Sequence, residues 1–279
     1  MVIVPSRVGQ LGNQLFHIAH FAASAMEHRY HFHYAALEYP LENFPKLNSM
    51  PYVKVSTTSK RRNLCQHRLF KLLNMTISSS PFHRCLVSMK PPHVDTGGSE
   101  FVYDGKRKMV LCEGFGFRDP DNVAKHQSEL SQLFQMSESI RSEVDQYELD
   151  HLSREGSMIV GFHIRRGDYQ NYAGGQHYLD DAHWLALIRE VKEYVEEKGK
   201  RFIGALFSNE NVEPLQSGNP DLVAGPGGMF TDLEMLSRCD LIVAPMSTYS
   251  GWASFIGQVP LMRVKREKNP SMDFEVVTW

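Results

Sequence analysis

The residues best suited to chemistry lie in one short segment, His163-Ile164-Arg165-Arg166-Gly167-Asp168-Tyr169. It follows the apolar run Ile159-Val160-Gly161-Phe162, so a buried strand ends on two arginines. A guanidinium there offers a planar, permanently charged fork that can bond a phosphate through two parallel hydrogen bonds. Asp168 can hold one arginine in place and leave the other for a ligand. The same residues also read as a surface arginine pair neutralised by Asp168. Arg166-Gly167-Asp168 spells an integrin-binding tripeptide as well, which reads as coincidence in a chain without a visible secretory signal.

Three further segments could share a ligand with it. Gly9-Gln10-Leu11-Gly12-Asn13-Gln14-Leu15-Phe16 places two glycines before a helical pattern. They let backbone approach a ligand closely, and Asn13 can cap the helix whose first amides would meet a phosphate. A plain glycine turn with a cap fits equally, and the spacing is not that of a dinucleotide fingerprint. Phe207-Ser208-Asn209-Glu210 ends another strand with small polar and acidic groups, suited to ribose, base or sugar contacts or to starting a helix with Ser208 as cap. Thr231-Asp232-Leu233-Glu234-Met235-Leu236 opens a helix, and Ser247-Thr248-Tyr249-Ser250-Gly251-Trp252 brings three hydroxyls into another. The latter is a ready diphosphate site or an ordinary Ser/Thr cap.

Two metal-like patterns carry less. His31 and His33 alternate along a strand in His28-Arg29-Tyr30-His31-Phe32-His33 without an evident carboxylate partner. Asp119-Pro120-Asp121 has the D-x-D form of metal-dependent glycosyltransferases, but Asp-Pro clusters are common turn chemistry. No metal is expected. Cys65, Cys85, Cys112 and Cys239 form no C-x-x-C pair and suggest reduced thiols in a cytoplasmic setting. Asn74-Met75-Thr76 fits a glycosylation sequon, a motif short enough to recur by chance.

The elements that must hold these motifs follow from periodicity. Val2-Ile3-Val4 reads as a strand. Leu15, Ile18, Ala19, Ala22 and Met26 share a helical face, and residues 31–35 return as a strand. Residues 40–105, rich in proline, read as loops and short helices, one over residues 64–73. Strand 109–112 and a polar helix over 137–154 come next. From residue 157 strands and helices alternate: strand 157–164, a helix after Asp180-Asp181 with Trp184, Ile188, Val191 and Val195 on one face, and strand 202–207. Then come helix 231–239, strand 241–244, helix 248–256 and strand 260–264. Such alternation predicts parallel sheets with helical crossovers. Two α/β domains are expected, residues 1–155 and 156–279. In such sheets ligands sit at the carboxyl ends of strands, where every motif above falls.

Bulk properties set the limits. The chain has 279 residues, is 42% hydrophobic and carries a formal net charge of −2, values of a globular protein without a nucleic-acid or membrane-surface bias. No signal peptide and no stretch of about 20 apolar residues is visible. A cytoplasmic protein is expected, whose meeting with a membrane would be peripheral. No repeat or low-complexity tract is present.

Taken in order, these segments resemble the α-1,2-fucosyltransferase family and its α-1,6- and protein-O-fucosyltransferase relatives. The likeness rests on G-x-L-G-N-Q-x-F at Gly9–Phe16, H-x-R-R-G-D-Y at His163–Tyr169, Phe207-Ser208 ahead of a polar pair, D-L-x-x-M/L-x-x-C at Asp232–Cys239, and Ser247-Thr248-Tyr249-Ser250 ahead of Trp252. Glu113-Gly114-Phe115 is similar to a further family segment. The chain departs from the pattern at Asn209-Glu210, where an acidic pair is usual, at Pro245-Met246, and at Gly251, where a first tryptophan is usual. The departures leave the diphosphate grip in place and bear on sugar and acceptor.

The resemblance implies an α/β, GT-B-type fold, two Rossmann-like domains facing a central cleft, with acceptor on the N-terminal side and GDP-fucose on the C-terminal side. It implies Arg165 as the catalytic residue against the donor diphosphate. Asn13, His163, Ser208, Asp232, Ser247, Thr248 and Ser250 are the other expected donor-binding residues, with Gly12, Arg166, Asp168, Tyr169 and Glu210 in support. No cofactor is expected; the partners are a nucleotide sugar and a glycan acceptor, with galactoside α-1,2-fucosyl transfer the implied reaction. Glu210 and Asp168 are candidates for the general base by position. Rival readings are a glycosyltransferase using another nucleotide sugar, a non-catalytic nucleotide-sugar or glycan-binding module, and a generic phosphate-binding enzyme such as a phosphatase.

Overall fold

The computed structural model describes residues 1–59, 86–88, 110–113 and 116–265, with side chains except those of residues 86–88, 110, 111, 113, 168, 172 and 173. Two compact units divide the chain, one starting at Met1 and running to Ser137, the other starting at Glu138. The expected helix over residues 64–73, the sequon at Asn74, Gly114-Phe115, Cys65 and Cys85 lie outside the described residues.

The N-terminal unit holds a five-stranded sheet of β1 (Val2–Val4), β2 (Phe32–Leu37), β3 (Val53–Thr57), β4 (Leu86–Ser88) and β5 (Val110–Glu113). Their order is β3-β2-β1-β5-β4 and every pair is parallel. Helix α1 (Leu11–His28) crosses from β1 to β2 and buries Leu15, Phe16, Ile18, Phe21 and Ala22. Phe21 stacks on Phe32 at 5.0 Å and on Phe117 at 4.1 Å, which seats the helix on the sheet. The helix ends where Arg29 turns left-handed, its N–H returning to the Ala25 carbonyl.

Asp119-Pro120-Asp121 starts a helix. Asp119 accepts from the Asn122 N–H, and Pro120 occupies the first turn of α2 (Pro120–Lys125), followed by α3 (Gln127–Leu133). β3 runs through the stretch read as loops. The three prolines around it concealed a strand whose Val53 and Val55 are buried on either side of exposed Lys54.

The C-terminal unit begins with α4 (Glu138–His151). Its sheet contains β6 (Ser157–Ile164), β7 (Arg201–Ser208), β8 (Leu222–Ala224), β9 (Leu241–Ala244) and β10 (Leu261–Arg263), in the order β10-β9-β6-β7-β8 and again all parallel. The crossovers are α5 (Asp181–Glu197), the short α6 (Glu213–Gln216), α7 (Met229–Leu236) and α8 (Thr248–Gly257). β6 is buried on both faces from Ile159 to Ile164, as a central parallel strand must be. Trp184, Leu187, Ile188, Val191 and Val195 form the buried stripe of α5, with the Phe162 ring edge-on to Trp184 at 6.5 Å. Arg238 gathers Asp145 and Glu148 of α4 and Glu234 of α7, and the Tyr147 hydroxyl donates to the Ala224 carbonyl at the end of β8. These bonds tie polar helix α4 to the strand and helix that carry Asp232.

Candidate active site

The strand order reverses at β6 in the C-terminal unit: the chain proceeds from β6 outward to β7 and β8, then returns to β9 on the opposite side. Ligands of open parallel sheets bind at the carboxyl ends of strands beside such a reversal. Register fixes which residues stand there. Phe162 pairs with Val243 of β9, and Ile164 pairs with Ser208 of β7, so Arg165 leaves the sheet between the two neighbouring strand ends.

The turn after Arg165 is organised locally. Gly167 adopts a φ of 61°, in the left-handed region, and a Cβ there would stand 3.4 Å from Asn209 Nδ2 and 3.6 Å from Glu210 Oε1. The turn therefore packs on the residues that follow β7. The two arginines have separate environments. Arg166 is largely buried and pairs with Asp181 at the start of α5. Arg165 is half-buried, with its guanidinium 5.4 Å from the centre of the Tyr169 ring. Asp181 is thus the described partner of Arg166; the Asp168 side chain lies outside the described residues. Asp180 caps α5, accepting from the His183 N–H at 3.0 Å, which leaves Asp181 for Arg166; the Asp180-Asp181 pair in the sequence did not show which acid would do which.

Ser208 works as a brace. Its hydroxyl donates to the Ile164 carbonyl at 2.9 Å and accepts from the Glu210 N–H at 3.1 Å. Asp232, in the first turn of α7, accepts from the Gly227 N–H at 2.7 Å. Burial pushes its carboxyl up to about 6, against the downward pull of the Gly227 and Gly228 amides.

Ser247 caps α8, its hydroxyl accepting from the Tyr249 N–H at 3.2 Å. Ser250 is fully buried and donates to the Ser247 carbonyl. Two of the three hydroxyls entering α8 thus organise the helix start, and Thr248 is half-buried beside them. His163 is buried under Tyr249, with ring centres 5.1 Å apart. Burial first, then the Arg165 charge, lowers its pKa to about 3, so the imidazole is neutral. Tyr249 in turn donates to the Met229 carbonyl at 2.6 Å, joining the starts of α7 and α8. The resemblance placed Tyr249 within the segment around the nucleotide but gave it no individual role; nothing in the sequence pointed to its contacts with His163 and Met229.

The C-terminal unit therefore brings His163, Arg165, Ser208, Asp232, Ser247, Thr248 and Ser250 to the carboxyl edge of one sheet. In the N-terminal unit, Gly9 and Asn13 follow β1. The helix starts one turn earlier than a cap at Asn13 requires. Gln10 stands at the cap position without a side-chain bond, while Gly12 and Asn13 lie inside the first turn. A Cβ on Gly9, whose φ is 61°, would meet Asn13 Nδ2 at 2.2 Å. Gln14 secures this turn by donating to the Gly9 carbonyl and accepting from the Glu38 N–H, each at 3.2 Å. The Arg7–Glu38 ion pair at 2.5 Å closes it.

The metal-like patterns are otherwise engaged. His33 lies 2.9 Å from the Ser56 hydroxyl, and His31 packs near Tyr52. Among the described residues no group of three or more His, Cys, Asp or Glu side chains is arranged to hold a metal ion. Cys112 and Cys239 are buried free thiols. No helix among the described residues is long and apolar enough to cross a membrane.

Two Rossmann-like units, each with a five-stranded parallel sheet, make a GT-B-type fold, as expected. Solved structures share it. NodZ fucosyltransferase from Bradyrhizobium superposes with a TM-score of 0.56 at 13% identity, over 99% of this chain and 98% of that one. NodZ α-1,6-fucosyltransferase soaked with GDP-fucose gives 0.55 at 13% identity, over 99% and 98%. POFUT1 in complex with GDP gives 0.51 at 15% identity, over 93% and 97%. At such identities the likeness is one of fold. No protein-family model matches the sequence, and no curated protein sequence matches it.

Proposed function

We propose that the chain is an inverting, metal-independent glycosyltransferase that moves L-fucose from GDP-fucose to a glycan hydroxyl, the 2-OH of a galactoside. The observation that carries this reading is the place of Arg165. It leaves the middle strand at the reversal of strand order and is linked through Tyr169 to the loop that opens α8. A guanidinium and the first amides of a helix are both donors for a diphosphate. The fold shared with NodZ soaked with GDP-fucose and POFUT1 in complex with GDP supports the choice of donor.

In the proposed reaction the acceptor oxygen attacks the anomeric carbon of β-linked fucose. The new C–O bond forms as the bond to the β-phosphate oxygen breaks, and that oxygen takes the electron pair. GDP departs and the product linkage is α. Arg165 neutralises the charge that develops on the β-phosphate, the place where electrostatic stabilisation acts most strongly. Thr248 and the α8 amides hold the diphosphate, while Ser247 and Ser250 keep the helix start in shape. Asp232 accepts N–H or O–H bonds from the nucleoside, and neutral His163 supports it from beneath Tyr249. Asn13 is the proposed donor-binding residue of the N-terminal unit. Glu210, next to the Gly167 turn, is the proposed carboxylate for the acceptor proton.

The test is incubation of the protein with GDP-fucose and a panel of galactosides, followed by linkage analysis of the product. An α-1,2-linked fucose is the expected result. Turnover confined to another nucleotide sugar would overturn the donor assignment.

A further inference from the structure

We infer that Tyr169 is a positioning residue that holds Arg165 and the entrance of α8 as one diphosphate-binding unit, an inference that rests on the function proposed above. Two contacts carry it. The Tyr169 ring supports the Arg165 guanidinium at 5.4 Å, and its hydroxyl donates to the Met246 carbonyl at 2.7 Å. Met246 immediately precedes Ser247, the cap of α8. One side chain thus bridges the loops after β6 and β9, the two strand ends that flank the reversal of strand order.

The physical need is clear from the partners. Arg165 is a long side chain with many rotamers, and a diphosphate requires its fork at a fixed separation from the α8 amides. A ring beneath the guanidinium restricts the rotamers open to it. The hydroxyl tether makes the ring's own position depend on the α8 loop. Arg166 is committed to Asp181 and cannot take over this duty.

The experiment measures GDP affinity by calorimetry for Tyr169→Phe and Tyr169→Leu, each in the unmodified chain and in the Arg165→Ala chain. Tyr169→Phe keeps the ring and loses the tether, and should weaken GDP about 3-fold. Tyr169→Leu loses both and should weaken it about 10-fold, within the range of a partly desolvated cation–π contact. In the Arg165→Ala chain either change should matter by less than about twofold, because the group being positioned is gone. A purely structural role would give equal losses in both backgrounds, and that result overturns the inference. Unchanged GDP affinity for Tyr169→Leu overturns it as well. Circular dichroism checks folding, and Tyr169→Phe carries the comparison alone if the leucine variant does not fold. Failure of the unmodified chain to bind GDP overturns the functional reading and this inference together. Binding with background-independent losses removes only the role of Tyr169.

Discussion

At Asp232 ionisation opposes folding. Its pKa stands at about 6 in the folded chain against an ordinary 3.8, so the folded state holds its proton more tightly. Stability from this group is therefore present at low pH and lost as pH rises from about 4 through about 6. The Asp232→Asn protein keeps an acceptor for the Gly227 N–H without the charge. It should be more stable than the parent at pH 7.5, by on the order of 1–3 kcal/mol, with the gap closing below about pH 6. It should also bind GDP-fucose more weakly. Thermal melting across pH checks the first claim, and an equal or lower melting point at pH 7.5 would contradict it. A carboxylate kept at such a cost is the expected signature of a binding residue. The exit of Arg165 from a buried strand was legible in the sequence, since an apolar run broke abruptly into charge. The partner of Arg166 was not, because Asp181 lies fifteen residues on and the pairing depends on the path of the intervening loop. Asn13 was misplaced as a cap because Gln10, a residue with weak capping preference, occupies that position.

At the scale of elements, what matters is how closely the helices that carry the site approach each other. A Cβ on Gly257, the last residue of α8, would lie 1.9 Å from the Ser237 carbonyl oxygen just beyond α7. Backbone cannot yield as a side-chain tip does, so the two helices would have to separate. Gly257→Ala should destabilise the protein by about 1–3 kcal/mol and weaken GDP binding, because Tyr249 and Asp232 ride on these helices. Chemical denaturation and calorimetry measure both, and an unchanged midpoint would contradict the packing argument. Long periodic elements such as α1, α5 and β6 were readable because their faces repeat. β3, β8 and α6 were not, being three to five residues long and set among proline and glycine. Asp119-Pro120 looked like a turn because a turn and a capped helix with proline in its first turn share the same residues.

For the whole molecule, the two units share a vulnerability to acid. His17 and His20 in the N-terminal unit and His163 in the C-terminal unit are buried, and burial lowers each pKa to about 3, assisted by Arg118 for the first two and by Arg165 for the third. The unfolded chain binds these protons near pH 6.5 and the folded chain does not, so stability falls as pH drops below about 6.5. Each group contributes up to about 2 kcal/mol between pH 6.5 and 5. That outweighs the opposite trend of the single Asp232. Denaturation midpoints should be clearly lower at pH 5 than at pH 7, and equal midpoints would refute the neutral-histidine assignment. The alternation of strands and helices made the parallel architecture legible from residue 157 onward. The order of the strands came only from the structure, because order depends on crossover direction, which composition does not encode.

Arg165 is proposed to stabilise the departing diphosphate of a nucleotide sugar in place of a metal ion. The most direct measurement is the rate of fucosyl transfer from GDP-fucose to a galactoside by the unmodified, Arg165→Lys and Arg165→Ala proteins, each with and without EDTA. The unmodified protein should keep full activity in EDTA, Arg165→Ala should lose about 100-fold or more, and lysine, which lacks the planar fork, should rescue poorly. Near-unmodified transfer by Arg165→Ala, or abolition of activity by EDTA, would contradict it.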